Sequence, residues 1–445
     1  MHDSSTRAAG WPDAPELMEP RQLLLGSFRA AVAAADPIEI LPGHLPAPPR
    51  GRTLVVGAGK AAASMALAVE RNWPAAAPLE GLVITRYRHG LPMKRIRVVE
   101  AGHPVPDATG EAASREILEK AKGLAPDDLL LVLVSGGGSA LLGLPAEDIS
   151  METLKTTTVS LLRSGAPIEA MNIIRKHLSA ILGGRLAAAT QARVLALIIS
   201  DVTGDDPTHI ASGPCAPDPT TFQDALDVLE HWRVAVPASV REHLERGARG
   251  DIPETPKPGD AVFARSENRV VATAQNSLRA ASEFFRSRGI PAAILGDSVT
   301  GEASEVAKVY GALTRQIARY DEPYRPPVAL VSGGECTVTV RGDGRGGRCT
   351  EFLLSLAIDL NGLAGVHALA CDTDGIDGSE DNAGGLLAPD SLARAARLGL
   401  DARGLLARND AYGFFSGLND LVITGPTRTN VNDYRAILIF PRERA

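Results

Sequence analysis

Apolar residues along the chain recur with two periods, and the alternation between them outlines the elements. RQLLLGSFRAAVAAA, over 21–35, carries its apolar positions three and four residues apart and predicts a helix that stops before Asp36-Pro37. A Pro-rich stretch, LPGHLPAPPR, leads from it to the strand TLVV. From there strands and helices take turns: TLVV, a small-residue helix, GLVIT, IRVVE, a helix from about 109 to 122, DLLLVLV, helical segments around 151–190, and VLALIIS. Strands that are apolar at every position and separated by helices are covered on both faces. The first half is therefore expected to be a doubly wound, Rossmann-like parallel sheet.

The segment DIPETPKPGD, 251–260, combines Pro, Gly and charge where the helical pattern has ended, and predicts a domain boundary. The pattern resumes with RVVATA, a helix over 276–288, PAAIL, a helix over 301–319 and, after DEPYRPP, VALVSGGECTVTV. A helix after Gly346-Gly347-Arg348, then VHALACDTDG, a helix near 390–397, LVITG and RAILIF complete the chain. Alternating runs such as CTVTV and RAILIF predict antiparallel pairing, hence a mixed second sheet. The expected architecture is two α/β domains, 20–255 and 260–445.

A length of 445 residues agrees with two cores, and 44 Gly and 31 Pro against 4% aromatics imply many tight turns. The formal charge of -7 leaves no basic face for nucleic acid, so an anionic substrate must be met by local cations and backbone amides. No apolar run is longer than that of Leu129 to Val134, far short of the ~20 residues of a membrane helix. Residues 1–16 lack the basic and apolar regions of a secretory signal and read as a loose tail. Cys215, Cys336, Cys349 and Cys371 show no metal or disulfide spacing, as in a reduced, cytoplasmic protein.

Candidate chemistry lies in the turns that end these strands. Gly57-Ala58-Gly59-Lys60 opens a helix, a natural anion site whose lysine opposes the helix dipole and so makes sense facing an anion. The same turn fits a dinucleotide fingerprint, but the next strand ends in Thr85-Arg86 with no acidic residue for a ribose. Ser135-Gly136-Gly137-Gly138-Ser139 can turn its amides inward as a phosphate or carboxylate cradle. Asp201, Asp205 and Asp206 could together hold Mg²⁺, or serve as capping and turn residues. Glu335, after a Gly-Gly turn, is a candidate substrate contact, Arg348 stands at a helix N-terminus suited to phosphate, and Asp374, in an acidic run after an apolar strand, is a further candidate metal ligand. His103 in a Pro-rich loop, and Arg428 and Asn430 in a polar loop between strands, are candidate substrate contacts. Anion cradles, two strong cations and carboxylates form the inventory of phosphoryl transfer.

In their order these motifs resemble the type-2 glycerate kinases, a family with a C-terminal MOFRL region, here about 326–440, and sometimes labelled hydroxypyruvate reductase. The matching residues are Val56–Ala61, Ala101–Asp107, Val134–Leu141, Ser200–Pro207, Ile210–Pro214, Ser332–Glu335, Gly346–Arg348, Asp372–Gly378, and Thr424–Thr427 with Thr429–Val431. The resemblance implies an active site in the interdomain cleft, ATP, a divalent metal such as Mg²⁺, and phosphorylation of D-glycerate to 2-phosphoglycerate. It also implies that Lys60 and Arg348 are catalytic. The family's usual Asn-Gln after Gly-Gly-Arg348 is Cys349-Thr350 here, and its Gly between Thr427 and Thr429 is Arg428. Those departures admit a longer hydroxy acid as substrate. The readings set beside the kinase are an NAD(P)H-dependent reductase and a non-catalytic acid-binding protein, and a homodimer is compatible with each.

Overall fold

The computed structural model describes residues 18–441; the segment 1–16 read as a tail lies outside the described residues. Six strands form the first sheet: β1 (Thr53–Ala58), β2 (Leu79–Arg86), β3 (Ile96–Ala101), β4 (Leu129–Val134), β5 (Arg193–Ile199) and β6 (Ser266–Ala272). They pair in the order β3-β2-β1-β4-β5-β6, all parallel. Chain order reverses between β1 and β4, and in open parallel sheets that crevice, beyond the strands' carboxyl ends, is where ligands bind. β1 and β4 are buried at every position, because helix Ala62–Asn72 packs on one face and helix Ala108–Lys122 on the other.

The second sheet runs β11-β10-β9-β12-β8-β7, from β7 (Ala292–Gly296), β8 (Val328–Ser332), β9 (Val366–Asp372), β10 (Gly384–Leu387), β11 (Leu421–Val422) and β12 (Asp433–Ile439). β7 and β8 are parallel and the other pairs antiparallel, giving the expected mixed sheet. Because β12 runs against both β8 and β9, its opening residues lie beside their last ones: Asp433 is in register with Asp372, and Arg435 with Ser332. One sheet edge thus gathers three charged segments.

Three expectations differ from the structure. CTVTV, 336–340, forms only an isolated bridge from Thr337 to Glu302; the antiparallel pairing comes from β12, which contains most of RAILIF, against β8 and β9, and from β9, β10 and β11. β6 follows the 251–260 segment yet pairs with β5, so the first sheet closes after the point where the composition divides the chain. Helix Pro20–Ala33, at the other end of the sequence, packs with helix Ala274–Arg286 on the second sheet. Among the described residues no helix is long and apolar enough to cross a membrane.

Candidate active site

The turns after β1 and β4 press against each other. Gly57 and Gly59 have φ of 152° and 143°, and a Cβ would lie 1.9 Å from the Leu133 carbonyl oxygen and 2.0 Å from Ser135 Oγ, respectively. Lys60 N–H donates to the Gly136 carbonyl (2.9 Å) and Ala61 N–H to Ser135 Oγ (3.0 Å). The amides that the sequence offers to a phosphate are thus taken by the neighbouring turn. Gly57 and Gly59 are needed for that close approach, which corrects their reading as phosphate ligands.

The second turn keeps its donors. The amides of Gly136, Gly137 and Ser139 have no acceptor among the described residues. Ser139 Oγ meets Ser212 Oγ at 2.8 Å, and Ser212 Oγ donates to Asn172 Oδ1 at 3.1 Å. Ala211 and Ser212, both left-handed at φ 50° and 55°, support the turn from below, where Ala211 packs against Gly138. Non-glycine residues in that region cost about 1–2 kcal/mol each and persist where the surroundings over-determine them.

His103, Asp201 and Asn430 close in on the same turn. A Cβ on Gly137 would lie 2.8 Å from His103 Nε2; on Gly136, 2.1 Å from Asp201 Oδ2 and 2.3 Å from Asn430 Nδ2. Burial, then the nearby Lys60 and Arg86 charges, push the His103 imidazole down to about 3, so it is neutral at physiological pH. Asp201, after β5, accepts from Asn430 Nδ2 (3.3 Å) and, through its carbonyl, from Asn432 Nδ2 (2.7 Å), which joins the two sheets' loops. Burial, with Glu335 nearby, pushes its carboxyl up to about 6.

Asp205 and Asp206 serve the following turn instead: Asp205 is left-handed at φ 55°, and Asp206 Oδ1 accepts from Thr208 N–H. Among the described residues no group of three or more His, Cys, Asp or Glu side chains is arranged to hold a metal ion. The expected cluster of three carboxylates therefore reduces to Asp201 at the turn.

The cations stand in a chain of ion pairs. Lys60 Nζ donates to Asp374 Oδ2 (2.6 Å), Asp374 N–H to Asp372 Oδ1 (2.9 Å), and Arg348 Nη2 to Asp372 Oδ2 (2.7 Å). Arg348 Nε donates to Asp433 Oδ1 (2.8 Å), and Arg435 Nη2 to Asp433 Oδ2 (2.6 Å). Burial alone would weaken the Lys60 ammonium, but Asp374 and then Asp372 raise it above its usual value. Burial would raise Asp374 too, and Lys60 overrides it, holding that carboxyl low; burial and then Asp374 push Asp372 well up. Lys60 and Arg348, from different domains, thus meet over the Asp372–Asp374 backbone. Asp372, Asp433 and Arg435 are not among the candidate site residues read from the sequence, although Asp372 opens the matching run Asp372–Gly378.

The exposed Glu335 carboxylate approaches Arg348 Nη2 to 3.5 Å at the rim. Helix Arg348–Leu360 does not offer its N-terminus to a ligand: Asp377 accepts from the N–H groups of Cys349 (3.0 Å) and Thr350 (2.9 Å) and from Thr350 Oγ1 (2.7 Å). Cys349 and Thr350 are buried, so these departures from the family pattern face packing and a cap. Arg428 touches the first domain through its carbonyl, which accepts from Ser64 Oγ at 2.6 Å. A cavity of about 700 Å³ lined by Lys308, Arg341, Glu351 and Arg403 shares none of the expected site residues.

Comparison with known proteins bears on both halves. Residues 23–245 match a family described as a domain of unknown function, DUF4147, and residues 328–433 match the MOFRL family. A protein of Agrobacterium vitis with the provisional name hydroxypyruvate reductase is 48% identical over 422 residues, 94% of each chain. The glycerate 2-kinase of Pyrococcus horikoshii is 40% identical over 386 residues, 86% of each chain. The crystal structure of a glycerate kinase from Thermotoga maritima superposes with a TM-score of 0.83 at 36% identity, covering 94% of this chain and 99% of that one.

Proposed function

The chain belongs to the type-2 glycerate kinase family, and on that premise we propose that this kinase transfers the γ-phosphoryl group of ATP to the 2-hydroxyl of D-glycerate, giving 2-phosphoglycerate and ADP. The observation that carries the reading is the set of unclaimed amides at Gly136, Gly137 and Ser139, which lies at the switch point of the parallel sheet beside Lys60.

The residues suit a nucleotide and a divalent cation. Three free amides fit polyphosphate oxygens, and the Asp201 carboxyl, raised to about 6 and without an ion-pair partner among the described residues, fits a cation. Magnesium bound there supplies charge neutralisation of the polyphosphate. Asp374, committed to Lys60, orients that lysine instead.

Lys60 spends one of its three donors on Asp374, and Arg348 spends two of its five on Asp433 and Asp372. The carboxylates fix both cations while leaving N–H groups for the phosphoryl oxygens, on which charge is carried in the transition state. The 2-hydroxyl oxygen bonds to phosphorus as the bond to the bridging oxygen breaks; ADP keeps the electron pair and the hydroxyl proton is released. His103, neutral, donates to an oxygen of the acid, Asn430 holds Asp201, and Glu335 and Arg428 border the acid's entry.

An NAD(P)H-dependent reductase would need the amides after β1 for a pyrophosphate. Those of Lys60 and Ala61 are engaged by Gly136 and Ser135, which disfavours that reading. Parallel assays separate the two: D-glycerate with ATP and Mg²⁺ is expected to release ADP, and hydroxypyruvate is expected to leave NADH and NADPH unconsumed. Reduced-cofactor consumption without ADP release would overturn the kinase assignment for this chain.

A further inference from the structure

Helix Ile168–His177 brings Asn172 and Arg175 to the Ser139 side of the free-amide turn. Asn172 Oδ1 accepts from Ser212 Oγ, which meets Ser139 Oγ, so the helix and the turn are joined through side chains. Arg175 Nη1 donates to the same Asn172 Oδ1 at 3.1 Å. That is its one hydrogen bond among the described residues, and no carboxylate there pairs with it. The adjacent Lys176, by contrast, is fully buried against Asp218 at 3.2 Å.

Arg175 lines a small cavity with Pro104, Ser139, Thr158 and Ser179. The space, about 20 Å³, suits a water or one end of a small polar group and excludes a polyphosphate. Burial alone draws the guanidinium down to about 10, and its charge is felt at His103. Most of the donors of this half-buried guanidinium are unmet by the protein and stay open to a ligand, and arginine is the side chain whose planar fork matches a carboxylate.

With Lys60 and Arg348 assigned to the phosphoryl group and Arg428 at the acid's entry, Arg175 is the cation beside Ser139 that has no carboxylate partner among the described residues and is open to the acid's own negative charge. We propose that Arg175 binds the carboxylate of the hydroxy acid, with Ser139 and neutral His103 beside it, and thereby selects acids over the corresponding polyols. This assignment rests on the kinase reading above. It makes the turn a divider, with nucleotide phosphates on its amide face and the acid's carboxylate on the Ser139 side.

The test is steady-state kinetics of the full chain, its Arg175→Met and its Arg175→Lys variants, varying D-glycerate and ATP separately and comparing glycerate with glycerol. Arg175→Met is expected to raise KM for glycerate by about a hundredfold, the scale of a lost buried charge-assisted pair, and to erase most of the preference for glycerate over glycerol. KM for ATP should hold within about threefold, and Arg175→Lys, which keeps the charge without the fork, should fall between. An unchanged glycerate KM, an equal rise in both KM values, or a fall in kcat alone would overturn the assignment. If circular dichroism shows Arg175→Met unfolded, the lysine variant decides: its glycerate KM should rise about tenfold, and an unchanged value refutes the proposal. A wild-type chain that turns over no hydroxy acid would sink the kinase reading and this assignment with it. An active wild type with an unaffected Arg175→Met sinks Arg175 alone.

Discussion

Arg428 has a left-handed backbone, φ 60°, at the position where the family usually carries glycine, and its Nε is buried without a partner. Such a conformation costs an arginine on the order of 1 kcal/mol that glycine avoids. Arg428→Gly is therefore expected to stabilise the chain by about 1 kcal/mol, read as a higher urea midpoint with unchanged slope. An equal or lower midpoint would mean that the arginine makes compensating contacts. The Ser64 bond survives the exchange, since it ends on the backbone carbonyl. At this scale the sequence shows cations and turns better than their partners. Lys60, Arg348, His103, Asp201 and Asn430 stand out by type and setting, and the structure brings them to one place. Asp433 and Arg435 lie at the start of an otherwise apolar strand, where nothing local says which charges the neighbouring strands will present. Arg175 is hidden differently, one cation among several on an amphipathic helix.

Elements were legible where a cap agreed with the period. Asp107 caps the helix Ala108–Lys122 by accepting from Gly110 N–H, and Thr273 caps Ala274–Arg286 by accepting from Asn276 N–H; both begin within two residues of where the periodicity starts them. CTVTV alternates like a strand, but without a partner along its length that alternation has nothing to pair with. The N–H groups of Cys349 and Thr350 are capped by Asp377, 27 residues beyond Thr350, so locally the start of Arg348–Leu360 shows only the bond from Gly347 N–H to Thr350 Oγ1. Asp377 fills the helix N-terminus that the sequence offered to phosphate, and it anchors the helix that carries Arg348. Asp377→Ala removes three hydrogen bonds from buried groups and is expected to lower stability by about 2 kcal/mol in chemical denaturation. A loss below about 0.5 kcal/mol would contradict the capping role.

Across the whole molecule, parallel order places the turns of β1 and β4 side by side, and antiparallel order places Asp433 beside Asp372. The chain of ion pairs from Lys60 to Asp374 and from Asp372 through Arg348 and Asp433 to Arg435, joined by the Asp374 N–H bond to Asp372, then crosses from one sheet to the other. The alternation of strands and helices made both sheets readable, but periodicity carries no record of which sheet a strand or helix joins. That is why β6 and helix Pro20–Ala33 fall on the far sides of the composition boundaries. The central claim is that this arrangement directs a phosphoryl group onto the 2-hydroxyl of glycerate. Phosphorus NMR of the chain incubated with D-glycerate, ATP and Mg²⁺ tests it most directly. The expected spectrum shows the resonance of 2-phosphoglycerate growing as the γ-phosphate signal of ATP gives way to ADP; 3-phosphoglycerate, inorganic phosphate alone, or an undiminished γ signal would contradict the account.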